Sequence, residues 1–163
     1  MLRKTPLPAE QRASLVVNQT IDLSTFPDPY AMEAIGNCLS PFVEDGARLV
    51  FSTTAPPMVG DLIALYLRSD LIRPGEMPVI VKRLVSRIPH FCTFPYTPKR
   101  GDDCVPVLTC ASTNPRQRIH ISAAKLMAVH KCIGVLEDGG ILPIPVTMLA
   151  MTPIQTLEGR SHA

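Results

Sequence analysis

Apolar positions along this chain recur in short runs punctuated by proline, glycine and aspartate, not at helical spacing. "ARLVF" (47–51) follows an Asp45-Gly46 turn, "GDLIALYLR" (60–68) is entered through "APPMVGD", and "PVIVKRLVS" (78–86) is reached across "SDLIRPGEM". Runs of this length, rich in Val, Ile and Leu and bounded by turn residues, predict antiparallel strands rather than βαβ units. "VPVLT" (105–109) predicts a further strand, after a surface loop over roughly residues 93–104 whose "PYTPKRGDDC" places turn residues in series. "ISAAKLMAVHKCIGVL" (121–136) reads as helix by composition up to Met127 and as strand from Val129. The tail opens on a Gly-Gly turn followed by one apolar strand. Residues 1–30 carry no sustained pattern and end in "STFPDPY". The expected organisation is an N-terminal arm over 1–30 with one short strand near Ser14–Asn18, a β domain over 31–146 and a tail over 147–163. The fold class is mainly β, compact and partly rolled.

Composition sharpens this in three ways. Among 163 residues there are 17 prolines and 9 glycines, which disfavours long helices and favours short strands joined by rigid turns. A net charge of +2 with 5% aromatic residues and no Trp offers neither the electrostatic footprint nor the stacking platform of a nucleic-acid binder, so no direct nucleic-acid contact is expected. No run approaches the roughly 20 apolar residues that cross a bilayer, so no membrane partner is expected either. Cys38, Cys92, Cys104, Cys110 and Cys132 are odd in number and lack framework spacing, which suits reduced thiols in the cytoplasm.

Four groups of residues are candidates for chemistry. In "IGNCLSPFVEDGARLVF" (35–51), Cys38 sits between a Gly-Asn pair and a Leu-Ser-Pro, ahead of a turn and an apolar run, which is the layout of an active-site turn feeding a strand. In "PVIVKRLVS", Lys82 shares strand parity with Ile80 and Leu84, and Arg83 with Val81 and Val85. Both faces are apolar, so at least one cation meets an apolar setting or snorkels at its edge. A desolvated lysine can give up its proton and act as a base, whereas arginine cannot. His90-x-Cys92, Cys104 with Cys110, and His130-x-Cys132 are spaced unlike structural zinc pairs and are read as core thiols and surface imidazoles, with no metal and no cofactor. "TNPRQRIH" puts Arg116, Arg118 and His120 on one parity, which is read as a solvated edge, with an anion contact the alternative.

Four pieces in order resemble the S24 peptidase domain of LexA and phage repressors, related more distantly to signal peptidases. "GNCLSPFVEDGARLVF" is similar to that family's Gly-Asp-Ser-Met-x-Pro, then Asp-Gly, then a strand. "PPMVGDLIALYL" resembles its Pro-x-x-Gly-Asp before a strand, "VIVKRLV" the strand bearing its lysine base, and "AKLMAVHKCIGVL" its closing strand with Val-x-Gly-Val. The resemblance spans about residues 34–136 and implies a β-rich roll or partly closed barrel of short antiparallel strands. It places the nucleophile on Cys38 and the base on Lys82. Cys38 stands where the family has serine, Asn37 where it has Asp and Leu39 where it has Met, with Ser40 a substitute hydroxyl two residues on. A sulfur in a site shaped for oxygen is misplaced, and small misplacements cost about 100-fold. The resemblance therefore implies a degenerate peptidase domain acting as a peptide-binding, assembly or regulatory module. The alternative is a trans-acting peptidase with a Cys38/Lys82 dyad. A homodimer through exposed strand edges and a role in a phage or mobile-element regulatory system are further implications. Self-cleaving members cut an Ala-Gly or Cys-Gly bond upstream of the nucleophile. The first glycine here is Gly36, and the 30 leading residues leave no room for a helix-turn-helix, so self-cleavage is not expected.

Overall fold

The computed structural model describes residues 22–101 and 103–144. They form eight strands: β1 (Tyr30–Glu33), β2 (Arg48–Ser52), β3 (Leu62–Leu67), β4 (Val79–Leu84), β5 (Val107–Thr113), β6 (Arg116–Ser122), β7 (Leu126–Glu137) and β8 (Gly140–Leu142). All pairings are antiparallel, in the order β1-β2-β7-β3-β4-β5-β6 with β8 added to β7. The domain is mainly β, and its sheet is not closed into a barrel. None of its helical turns is long and apolar enough to cross a membrane.

The sheet is apolar on both faces. Along β3, Leu62, Ala64 and Tyr66 point into a first core with Leu49, Phe51, Ala128 and Cys132, while Ile63 and Leu65 point into a second with Leu84, Leu108, Cys110 and Leu126. A strand buried on both faces reads as an unbroken apolar run, which is what "LIALYL" is. Twelve-residue β7 ties the sheet together, pairing β3 with its first half and β2 and β8 with its second. Gly134 is obligatory there, because a Cβ would collide with the Leu142 carbonyl where β8 crosses.

The expected strands at 47–51, 60–68, 78–86 and 105–109 are present with shifted ends, as is the short apolar strand after the Gly-Gly turn. The helix expected up to Met127 is not. Ser122 caps a single 3₁₀ turn over Ala123–Lys125, its side chain accepting from the Ala124 amide, and the chain is strand from Leu126. Pairing of Leu126 to Lys131 with β3 satisfies both backbones in a long ladder, which outweighs the weak helical propensity of a short Ala-Lys-Leu segment. β1 and β6 were not expected as strands. The loop after β4 is also more than surface, since Cys92 and Tyr96 are buried and, with Ile88 and Phe94, cover the second core. Residues 22–30, read as the end of an arm, lay Leu23 and Phe26 on the first core. The strand expected near Ser14–Asn18 and the tail over 147–163 lie outside the described residues.

Candidate functional site

The Cys38 turn is built by local rules. Gly36 has φ +88°, a left-handed conformation that suits glycine, and its amide donates to Asp45 Oδ1 at 2.8 Å. Within the turn, the Ser40 amide donates to the Asn37 carbonyl at 3.0 Å and the Val43 amide to the Leu39 carbonyl at 3.1 Å. Leu39 and Val43 are buried and anchor the turn in the first core, with Cys38 half-buried beside them. Asp61 does the corresponding work before β3. Its carboxylate accepts the Met58 amide at 2.8 Å and pairs with Lys131 Nζ at 3.0 Å, so the aspartate of the Gly-Asp piece is a structural residue.

The Cys38 carbonyl accepts three hydrogen bonds: from the Thr113 amide at 2.8 Å, the Asn114 amide at 3.1 Å and Thr113 Oγ1 at 3.1 Å. This capture interrupts the sheet. β4 and β5 pair only at Arg83↔Ala111 and Leu84↔Cys110. Continuing that register would set Val81 opposite Thr113, with the Thr113 amide donated to the Val81 carbonyl. The Cys38 carbonyl takes it instead. The even-numbered residues of β4 turn their backbone groups toward β3: the Leu84 amide donates to the Asp61 carbonyl and the Pro78 carbonyl accepts from Leu67. Val79 and Val81 therefore direct theirs to the opposite side, where β5 no longer runs alongside.

That open edge borders a cavity of about 180 Å³. Its walls are Met32 and Glu33 of β1, Ile35, Cys38 and Leu39 of the turn, and Val79 to Lys82 of β4. Drug-sized ligands occupy roughly 300–1,000 Å³, so this space suits one or two side chains. Ile35 and Met77, also in the lining, are 58% and 36% exposed, leaving apolar surface open to solvent at the site.

Cys38 and Lys82 thus line one cavity, but from different faces of the sheet. Lys82 pairs with Ile63, whose side chain belongs to the second core, while Cys38 packs on the first. The charge of Lys82 acts on Cys110, favouring its thiolate, although burial dominates and pushes that thiol up to about 11. Ser40 does not line the cavity. The cation most evidently desolvated on β4 is Arg83, whose Nε is buried with no hydrogen-bond partner among the described residues. The histidine and cysteine pairs disperse: Cys92 and Cys110 enter the second core, Cys132 the first, and His90 and Cys104 are exposed. Among the described residues, no three His, Cys, Asp or Glu side chains gather as metal ligands.

A polar network invisible in the sequence lies in the first core. The Tyr30 hydroxyl is 2.7 Å from that of Tyr66 and 2.8 Å from His130 Nδ1, and the Tyr66 hydroxyl donates to Met32 Sδ at 3.3 Å. Burial pushes Tyr66 up to about 12 and Tyr30 well above the ordinary phenol range. It lowers His130, against a smaller opposing effect of Asp28. The network fastens β1, one wall of the cavity, to β3 and β7. The open edge of β4 was missed because it depends on where β5 is diverted, which strand parity does not encode.

Compared with known proteins, the chain matches no family model, no curated protein and no solved structure.

Proposed function

We propose that the chain is a degenerate S24/LexA-like domain that binds an extended peptide as an added strand along β4, serving as a recognition or regulatory module. The observation that carries this reading is the diversion of the Thr113 amide to Cys38, which leaves the backbone groups of Val79 and Val81 facing a cavity with apolar walls. Strand addition takes its affinity from main-chain hydrogen bonds and its selectivity from pockets for alternate side chains. One pocket for one or two side chains beside one open edge matches that mode. The degenerate nucleophile is consistent with it, since the Cys38 carbonyl serves to hold the turn on β5.

Hydrogen exchange tests the reading with the peptide Ac-Ser-Val-Ser-Val-Ser-NH2 as probe. In the free protein the Val79 and Val81 amides exchange quickly, while Ile80 and Lys82, facing β3, are protected. Saturating peptide slows Val79 and Val81 at least tenfold. Val81→Pro removes one cleft-facing donor without touching the β3 ladder and abolishes the peptide's protection of Val79, whereas Ile80→Pro, aimed at β3, unfolds the chain. Protection of Val81 before any peptide is added would refute the open edge.

The second reading, a peptidase using Cys38 and Lys82, draws on their sharing one cavity. Its test is hydrolysis of a fluorogenic peptide library. We expect none, and no self-cleavage at alkaline pH. Turnover lost in both Cys38→Ala and Lys82→Ala would establish the enzyme instead.

A further inference from the structure

Immediately beyond the open edge of β4, the cross-strand register sets arginines side by side. Arg83 pairs with Ala111, and Ala111 with Arg118, so the three form one row across β4, β5 and β6 with side chains on one face. Arg116, opposite Thr113, stands two residues along β6 on that same face. Strands lie about 4.8 Å apart, so the Arg83 and Arg118 backbones are separated by roughly two such spacings, with only the methyl of Ala111 between them. Arginine stems readily cover that gap.

Four observations distinguish this cluster from a solvated charge run. Arg83 Nε is buried and makes no hydrogen bond among the described residues. Leu62, next to it in the row, is a first-core residue, so the guanidinium stem rises from apolar surroundings. Arg83 is pushed below its ordinary range by burial first, then by Arg116 and Arg118, with no carboxylate among the causes. Finally, the cluster adjoins the cleft. Val79, Val81 and Arg83 succeed one another on one face of β4, and Thr113, which holds the Cys38 turn, pairs with Arg116.

We infer that Arg83 and Arg118 form an anion socket at the closed end of the cleft, which receives an acidic side chain of the bound peptide. A carboxylate there meets the guanidinium groups of Arg83 and Arg118 and offsets the repulsion between them. Planar guanidinium forks match carboxylate geometry. The inference rests on the strand-addition reading and adds the substrate class: extended peptides with apolar residues alternating and an Asp or Glu at the end that reaches Arg83. A peptide occupant is favoured over a nucleic acid because the socket continues the apolar cleft and the described domain exposes little aromatic surface for bases.

The experiment compares Ac-Asp-Val-Ser-Val-Ser-NH2 and Ac-Ser-Val-Ser-Val-Asp-NH2, one for each strand direction, with their Asn counterparts, following Kd by NMR titration of the full chain. One Asp peptide should bind about tenfold tighter than its Asn partner at low salt. That preference should disappear in Arg83→Gln and in Arg118→Gln. Arg118 is exposed, so the second variant keeps the test available if the first misfolds. Equal Kd values for Asp and Asn, or a preference surviving in Arg118→Gln, overturn the socket while leaving the cleft intact. If no peptide binds, acetyl-aspartate methylamide alone is titrated against the Arg83 Nε–Hε resonance. A saturable shift absent in Arg118→Gln then upholds the socket without the cleft, and no shift removes both. Arginine-dependent binding of a single-stranded oligonucleotide tighter than any Asp peptide would transfer the site to nucleic acid.

Discussion

One sheet carries two cores, and they are finished differently. The second is sealed: Ile88, Cys92, Phe94 and Tyr96 of the long loop after β4 close over Ile63, Leu65, Leu108 and Leu126 with apolar atoms. The first is covered by Leu23 and Phe26, a four-residue strand and a turn, holds a tyrosine pair and a histidine, and opens beside Cys38 into a cavity. The strands beneath are the same, so the contrast arises from what covers them. A sealed face contributes stability alone. A face covered by short pieces needs polar fasteners, and the gap between the pieces is where a ligand can enter.

The largest expected effect belongs to the sealed face. Leu126 is 0% exposed in the second core, and Leu126→Ala leaves a cavity that rigid neighbours cannot fill. We expect a loss of about 2–5 kcal/mol in urea denaturation, with binding at the cleft unchanged in whatever fraction remains folded. A loss below about 1 kcal/mol would mean that the loop collapses onto the space and the face is not sealed.

The next effect belongs to the fastened face. Tyr30→Phe keeps the ring packing against Phe26 and Phe51 but removes a hydroxyl in contact with both Tyr66 and His130. Two buried groups lose a partner at once, so a cost of about 1–3 kcal/mol is expected. Exchange of the β1 amides should rise further than that of β5, because the hydroxyl fastens β1 specifically.

The strands were legible because each apolar run is bounded by turn residues, and β3 and β4 fall within "GDLIALYLR" (60–68) and "PVIVKRLVS" (78–86). β1 was not legible: "YAME" is four residues with alternating burial, and it is a strand only because β2 offers a ladder. "AAKLM" misled because alanine, lysine and leucine favour helix, whereas the decision was made by the partner strand. Motif order pointed to Cys38 and Lys82, which line one cavity from different faces of the sheet, and the arginine parity of "TNPRQRIH" was visible without Arg83. That the Cys38 carbonyl diverts β5 is a long-range backbone event that no side-chain pattern records.

A smaller effect is expected in the pH dependence. Burial depresses His130 in the folded state, so below its unfolded value of about 6.5 the unfolded chain binds a proton that the folded chain resists. The unfolded state then holds more protons, and stability rises with pH through this window. Stability should therefore be complete above about pH 6.5 and fall as the pH drops below it, by at most about 1.4 kcal/mol per unit for one proton. His130→Gln should flatten that slope below about pH 6.5, measured by urea midpoints at constant ionic strength. An unchanged slope would locate the titration elsewhere.

The smallest effect on stability separates the two faces most directly. Ile35 is 58% exposed and lines the cavity, so folding gains little from it. Ile35→Ser should change stability by no more than about 0.5 kcal/mol, as surface substitutions usually do. Binding is another matter, because a peptide strand lying along β4 would cover that side chain. Burying even half of an isoleucine contributes about 1 kcal/mol at roughly 25 cal/mol per Å², so the Kd of Ac-Ser-Val-Ser-Val-Ser-NH2 should rise about fivefold. The same substitution at buried Ile63, in the second core, should reverse the pattern by unfolding the chain without a specific effect on affinity. If Ile35→Ser weakens folding and leaves the peptide's Kd unchanged, the exposed isoleucine belongs to the architecture and the cavity is not where the peptide lies.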